Sequence, residues 1–307
     1  GAKETSQVHN IISAMVDDST LDILEAMRGQ EEGAYTLPIK SVVRSLAPRG
    51  GKNVGTNKLS DDVLDYVSWR KQMAEWCLEI ADYLNHQIET VEVTLSILDR
   101  AVAFDPSMIE DPELYQMACA ASVLIAAKLH ERPSLNVEDV ARLCLFRFSK
   151  KSLERMESHI LFTIQWRVNP PTAVSFAKYL LGMIDISLSR KAAVMQSVMK
   201  QIKKAFVEEY FLTVQTSTLA LAAVMNGLQH VGYPKIMAHF QCFQKALGYS
   251  KSSVPSRFTA VCSRLRPCLG VPGPRIEPSG RRKSIAAEES ATHRKTGVSK
   301  PYKCRQQ

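Results

Sequence analysis

"CAASVLIAAKLHE", residues 119–131, decides how this chain folds. No charge occurs from Cys119 to Ala127, and four of those residues are alanine. A helix that is apolar on every side is buried on every side. The stretch then closes on Lys128, Leu129, His130 and Glu131, so a lysine stands at the end of a helix that has no wet face. One hundred positions on, "LALAAVMNGL" at 219–228 repeats the character of 119–128. That period is too long for the common solenoid repeats. It predicts two tandem bundles, each wrapped round a small-residue central helix.

Helical periodicity dominates residues 61–269, and no alternating strand pattern stands out. "LDYVSWRKQMAEWCLEIADYLN" (64–85) sets Trp69, Met73, Trp76, Ile80 and Leu84 on one stripe. "TVEVTLSILDRAVAF" (90–104) has Thr90 as a candidate N-cap, and residues 111–131 open with Asp111 as N-cap and Pro112 at the first helical position. Shorter helices are expected after Asn136 and after Ser149 or Ser152, the two candidate caps of the fifth. Asn169-Pro170-Pro171-Thr172 breaks the chain, and helical segments follow at 172–184, 190–213, 217–231, 234–247 and 254–265. The expected fold is all-α: two tandem five-helix folds, 61–169 and 170–270. An N-terminal extension, 1–60, should hold a short helix near 8–27 and a Gly/Pro-rich linker from residue 28. The tail, 271–307, is Ser-, Lys- and Arg-rich and predicts disorder.

With 45% hydrophobic and 23% charged residues the composition is that of a globular protein. No apolar run reaches the length of a membrane span, and the first residues lack the apolar core of a secretory leader. The seven cysteines form no CxxC and no zinc-ligand spacing, which points to reduced thiols in the nucleus or cytoplasm. Of the net charge of +8, the last 33 residues hold nine Lys/Arg against three Glu, a net of +6. A basic tail is a weaker sign of nucleic-acid binding than a basic folded face, so nucleic acid is not the expected partner. "RGGKNVGTNK" (49–58) fails as a phosphate loop because Thr56, not Lys-Ser/Thr, follows Gly55. No hydrolase, zinc-protease or kinase signature occurs. The reading therefore expects no catalytic residue, no metal and no cofactor.

Four charges stand among core positions at an even step of 29 residues: Arg70, Asp99, Lys128 and Glu157. Around them the chain resembles the cyclin box. "MAEW" (73–76) matches L-x-x-W, "LDR" (98–100) matches LDRFL, and "AAKLHE" (126–131) matches ASKFEE. "MESHIL" (156–161) matches MExxIL, and "QWRVNPPTAVSF" (165–176) matches the closing segment of the box. The likeness covers 68–176 closely and the second half only in architecture.

The resemblance implies a regulatory subunit, not an enzyme, that activates a cyclin-dependent kinase, with a lean toward cell-cycle control. Lys128 and Glu157 would hydrogen-bond the kinase helix of the PSTAIRE type. Ile125, Leu129, Leu161 and Val168 would take its apolar anchor, and Trp166 would add contact area. Arg70 and Asp99 would form an internal ion pair. A groove for Arg-x-Leu peptides would use Trp69, Met73, Trp76, Glu79 and Gln116, with Gln72 replacing an apolar residue of that groove. His130 departs from the family's glutamate. Arg142-Leu143-Cys144-Leu145 fits an Arg-x-x-Leu pattern but is read as helical and structural. "RRKS" (281–284) fits a basic-directed phosphorylation site. The rival reading is a general initiation factor with cyclin folds that binds DNA.

Overall fold

In the computed structural model, residues 18–36, 61–249 and 257–270 are described. They hold eleven α-helices, three short 3-10 turns and no strand. Helix α1 is Asp18–Glu32. The first five-helix fold is α2 (Asp61–Leu84), α3 (Ile88–Phe104), α4 (Pro112–His130), α5 (Val137–Leu143) and α6 (Lys150–Thr163). The second is α7 (Ala173–Gly182), α8 (Leu188–Val207), α9 (Thr216–His230), α10 (Ile236–Ala246) and α11 (Phe258–Leu265).

The two small-residue helices are the central ones. Every residue of α4 from Ala118 to Ala127 is buried, and α9 is buried from Ser217 to Val224. Alanine lets neighbours close in: α4 touches α2, α3, α5 and α6, and α9 touches α7, α8, α10 and α11. One apolar core runs through both folds, and a smaller cluster of Ala120, Leu124, Val140, Ala141, Phe148 and Leu153 seals α5 against α4.

Local capping places the helix starts. Asp111 accepts the Glu113 N–H at 3.2 Å with Pro112 in the first turn. Asn136 and Asp139 form a reciprocal capping box on α5, and Ser149, not Ser152, caps α6. Three expectations change. Helix α3 begins at Ile88, two residues before Thr90, after an N-cap, Gln87, whose side chain makes no cap bond. Helix α1 runs through Gly29 to Glu32 and does not stop at Met27, because Arg28 bridges to both Glu31 and Glu32 and Leu24 is fully buried. The 190–213 segment is two elements: α8 stops at Val207, Glu208 is extended, and a 3-10 turn takes Glu209–Thr213. There the Phe206 carbonyl accepts from the Arg70 guanidinium.

"RLCL" also differs from its reading. Only Arg142 and Leu143 are helical, and Leu145 is 88% exposed. The expected helix before residue 18, the linker over 37–60, the start of the last helix at 254–256 and the tail lie outside the described residues.

Candidate functional site

Lysine 128 sits in the last turn of α4, where a cation complements the helix dipole. One turn earlier Ile125 is buried at 4% exposure, and next to Lys128 Leu129 is 43% exposed. Positions 125, 128 and 129 share a face by helical spacing. That face leaves the core at its C-terminal end, so the lysine is the first side chain after the buried run Ala118–Ala127 to meet solvent. Its ammonium reaches Glu157 Oε1 of α6 at 2.6 Å. The two side chains are 44% and 16% exposed, so the carboxylate is the better sheltered.

On α6, Glu157 and Leu161 share a face at i and i+4, and Leu161 packs half-buried against the core. The Trp166 N–H donates back to the Leu161 carbonyl at 2.8 Å, so the chain turns sharply after α6. Gln165 and Trp166 take left-handed φ of 55° and 59°. The turn leaves the Trp166 ring 61% exposed and packed edge-on against Phe162, itself 71% exposed, at 6.0 Å. Val168 follows, half-buried against the core. Phe162 escaped the sequence reading. Its signal was an aromatic at an α6 position outside the buried set Leu153, Met156 and Ile160.

Arg70 and Asp99 are brought together deep in the first fold. Nε and Nη2 of Arg70 donate to Oδ1 and Oδ2 of Asp99 at 3.2 and 3.0 Å, and the side chains are 7% and 5% exposed. Burial pulls the guanidinium down, but the Asp99 charge and hydrogen bonds more than offset it and raise it above its ordinary value. The third nitrogen, Nη1, donates to Phe206 O at the end of α8. One arginine therefore ties α2 to α3 and the first fold to the second.

Three of the five residues expected to form a peptide groove line one hollow. A hollow of about 330 Å³ is walled by Met73, Trp76 and Gln116 together with Leu143, Cys144, Leu145, Arg147 and Phe148. Residues 143–148, at the end of α5 and just after it, supply most of the wall, and the groove implied by the resemblance does not include them. Arg147 crosses the rim to Gln116 Oε1 at 3.0 Å and Glu113 at 3.4 Å. Trp69 and Glu79 do not line the hollow. The Trp69 ring leans on Tyr115 at 6.4 Å as part of the core rim, and Glu79 is exposed to solvent.

Three glutamates cap helices other than their own. Glu131, after α4, accepts the Gln87 N–H at 2.9 Å and the Thr90 hydroxyl at the start of α3. Glu92 accepts the N–H groups of Ala173 and Val174 at 2.5 and 3.4 Å at the start of α7. Glu31 accepts the Ser217 N–H at 2.8 Å at the start of α9. Both α3 and α9 lack a capping side chain of their own, so a distant carboxylate fills the vacancy. Burial pushes Glu92 up to about 8 against the opposing pull of its two N–H donors.

Among the described residues no cluster of His, Cys, Asp and Glu is built to hold a metal ion, and no helix is long and apolar enough to cross a membrane.

Residues 55–169 match the family model described as cyclin, N-terminal domain. Cyclin-D3-2 of Arabidopsis thaliana is 27% identical over 179 residues, 54% of this chain and 47% of that protein. Cyclin-O protein B of Xenopus laevis is 29% identical over 128 residues, 42% of this chain and 34% of its own length. The chain spans about half the length of the curated relatives it matches. A viral cyclin from herpesvirus saimiri, solved by X-ray crystallography, superposes with a TM-score of 0.59 at 16% identity. It covers 80% of this chain and 96% of that one, a likeness of fold.

Proposed function

The chain belongs to the cyclin family, and from that premise we propose that it binds a cyclin-dependent protein kinase and switches it on as a regulatory subunit in cell-cycle control. The observation that carries the reading is the Lys128–Glu157 pair, exposed at the end of a helix that is buried without a break from Ala118 to Ala127. An exposed pair of this kind contributes little to folding, about 0–1 kcal/mol. Its position is better accounted for by a partner. Lys128 has three donors and only one engaged by Glu157, and Glu157 keeps acceptor capacity. The pair can therefore donate to carbonyls and accept from N–H groups of a partner's backbone at once. Beside it Leu129, Phe162 and Trp166 expose apolar surface of the sort that carries binding energy, and Ile125 lies buried beneath. Charge-assisted bonds in such a partly dry setting set register and orientation.

In this reading the kinase presents its mobile helix, of the PSTAIRE type, to the pair. Docking holds that helix inward, so that its glutamate meets the lysine that grips the ATP phosphates. The cyclin contributes no catalytic group. The hollow at Met73, Trp76 and Gln116 is proposed to take Arg-x-Leu segments of substrates or inhibitors, with Leu145 and Phe148 enlarging its apolar wall. The work is assigned to the nucleus or cytoplasm.

The test is a binding and phosphorylation assay on the full chain mixed with cyclin-dependent kinases and a histone-type peptide. Lys128→Ala and Glu157→Ala run beside wild type, with circular dichroism to show that both fold. Loss of kinase activation in folded variants supports the reading. Equal activation by all three assigns the pair to the protein's own structure and sinks it.

A further inference from the structure

The first fold is acidic. Residues 61–171 hold eleven Lys/Arg against eighteen Asp/Glu, a net of −7. One stretch reverses that sign. "RLCLFRFSKK", 142–151, carries four cations, Arg142, Arg147, Lys150 and Lys151, and no carboxylate. Among them stand Leu143, Leu145, Phe146 and Phe148.

This stretch also walls the hollow beside α2 and α4. Leu143, Leu145 and Phe148 line it with Met73 and Trp76, and it measures about 330 Å³. Phe148 is 7% exposed and Leu145 88%, so the hollow has a fixed side and an open lip. At that lip Leu145 and Phe146 take left-handed φ of 52° and 56°. Side chains other than glycine are held there at a cost, and such residues gather at ligand clamps.

Among the described residues that line the hollow, Arg147 carries the one formal charge. Its Nη1 donates to Gln116 Oε1 at 3.0 Å, and its Nε reaches Glu113 Oε1 at 3.4 Å. These contacts hold the guanidinium at the rim without neutralising it. Arg147 and Glu113 are each 53% exposed, and an exposed pair at that distance is weak. Nη2 makes no hydrogen bond among the described residues, so the guanidinium keeps donors for a carboxylate. Lys150 and Lys151 are exposed as well, and among the described residues neither pairs with a carboxylate.

We propose that this hollow selects a peptide segment of a protein partner in which an apolar residue stands beside Asp or Glu. The apolar side chain fills the space between Met73, Trp76 and Phe148, and the neighbouring carboxylate pairs with Arg147 at the rim. Charge complementarity decides the choice. A basic residue next to the anchor meets a like charge in Arg147, whereas an acidic one meets its partner. The rest of the first fold repels an acidic segment, so the segment is accepted at this stretch and refused around it. The inference rests on the reading that the hollow docks peptides. It narrows the Arg-x-Leu segments proposed there to those with an acidic residue beside the leucine or its apolar neighbour.

The experiment is fluorescence anisotropy with the full chain and labelled peptides of about ten residues. They share an Arg-Ala-Leu-Phe core and differ in the pair that follows it: Glu-Glu, Gln-Gln or Lys-Lys. Wild type is compared with Arg147→Gln, with Leu145→Ser, and with a control carrying Lys235→Gln and Lys245→Gln, two exposed cations of the second fold. All are checked by circular dichroism. Wild type is expected to bind the Glu peptide about tenfold more tightly than the Gln peptide, and the Lys peptide most weakly. Arg147→Gln should bind the Gln peptide as wild type does and cut the preference for Glu to within about threefold. Leu145→Ser should weaken all three and keep their order, and the control should match wild type. A full preference retained in Arg147→Gln, or an equal loss of it in the control, assigns the preference to the net charge of the chain and overturns the inference. Equal binding of all three peptides by wild type, weakened in Leu145→Ser, overturns it and leaves the docking reading standing. No binding of any peptide overturns both.

Discussion

Replacing Arg70 by methionine tests the tie between the two folds. Arg70 and Asp99 are 7% and 5% exposed, so the variant leaves a carboxylate buried without its cation. Breaking a buried pair from one side costs about 3–5 kcal/mol. The Phe206 carbonyl also loses its donor, which costs a further ~1–3 kcal/mol if no water replaces it. The two losses share one side chain and overlap, so the expected total is about 4–6 kcal/mol. Against a total stability of about 5–15 kcal/mol this brings the protein close to unfolding. The double variant Arg70→Met/Asp99→Leu removes both charges and leaves only the carbonyl, so its cost should fall to about 1–3 kcal/mol. Urea unfolding followed by circular dichroism measures both. Tryptophan fluorescence should follow the first fold alone, because Trp69, Trp76 and Trp166 all lie there. In Arg70→Met the two signals should separate, since the bond joining α2 to α8 is gone. A single variant that loses less than about 1 kcal/mol, or a double variant no more stable than the single, would refute the reasoning.

Lys128→Ala and Glu157→Ala should each change stability by less than about 1 kcal/mol in urea titrations, because the pair is exposed, while kinase affinity falls at least about thirtyfold by calorimetry. The folded-state acidity of Glu92, pushed up to about 8 by burial, means that the native state holds a proton that the unfolded chain has released. This group's contribution to stability therefore falls as pH rises from the ordinary glutamate range to about 8. It faces Glu89 and Glu31, which add to the effect, and Lys178 pairs with Glu89 at 2.8 Å. Glu92→Gln should flatten the stability profile over that window, read as urea midpoints against pH. Glu89, held below its ordinary value despite burial by Lys178, Ser175 and Thr172, has the opposite sign: its contribution is lost as pH falls below the ordinary range. Leu145 is 88% exposed at a φ of 52°, so Leu145→Gly should relieve backbone strain without exposing core, and raise stability by about 0.5–1 kcal/mol in thermal melts.

The sequence by itself determined the helices of both folds, their tandem order and the identity of the central pair. Apolar periodicity and the Asp111, Asn136 and Ser149 caps are local, acting within a turn or two of the residues that carry them. The even step of 29 residues made Arg70, Asp99, Lys128 and Glu157 legible as a set, and the tertiary structure pairs them as Arg70 with Asp99 and Lys128 with Glu157. What lay beyond the sequence is what depends on contacts between distant segments. Thr90 looked like a cap because the helix before it had no visible one, and Glu131, 41 positions away, supplies it. Glu31 does the same for α9, and Glu92 adds to the Thr172 cap of α7, across still longer separations. The third bond of Arg70, to a carbonyl 136 residues on, carries no trace in the spacing. Nor does the exposure of Trp166 and Leu145, since two consecutive left-handed residues after α5 and after α6 turn these apolar side chains outward. A capping carboxylate needs only to be near an unfilled helix start in space, and nearness in space between distant residues is fixed by how the helices pack.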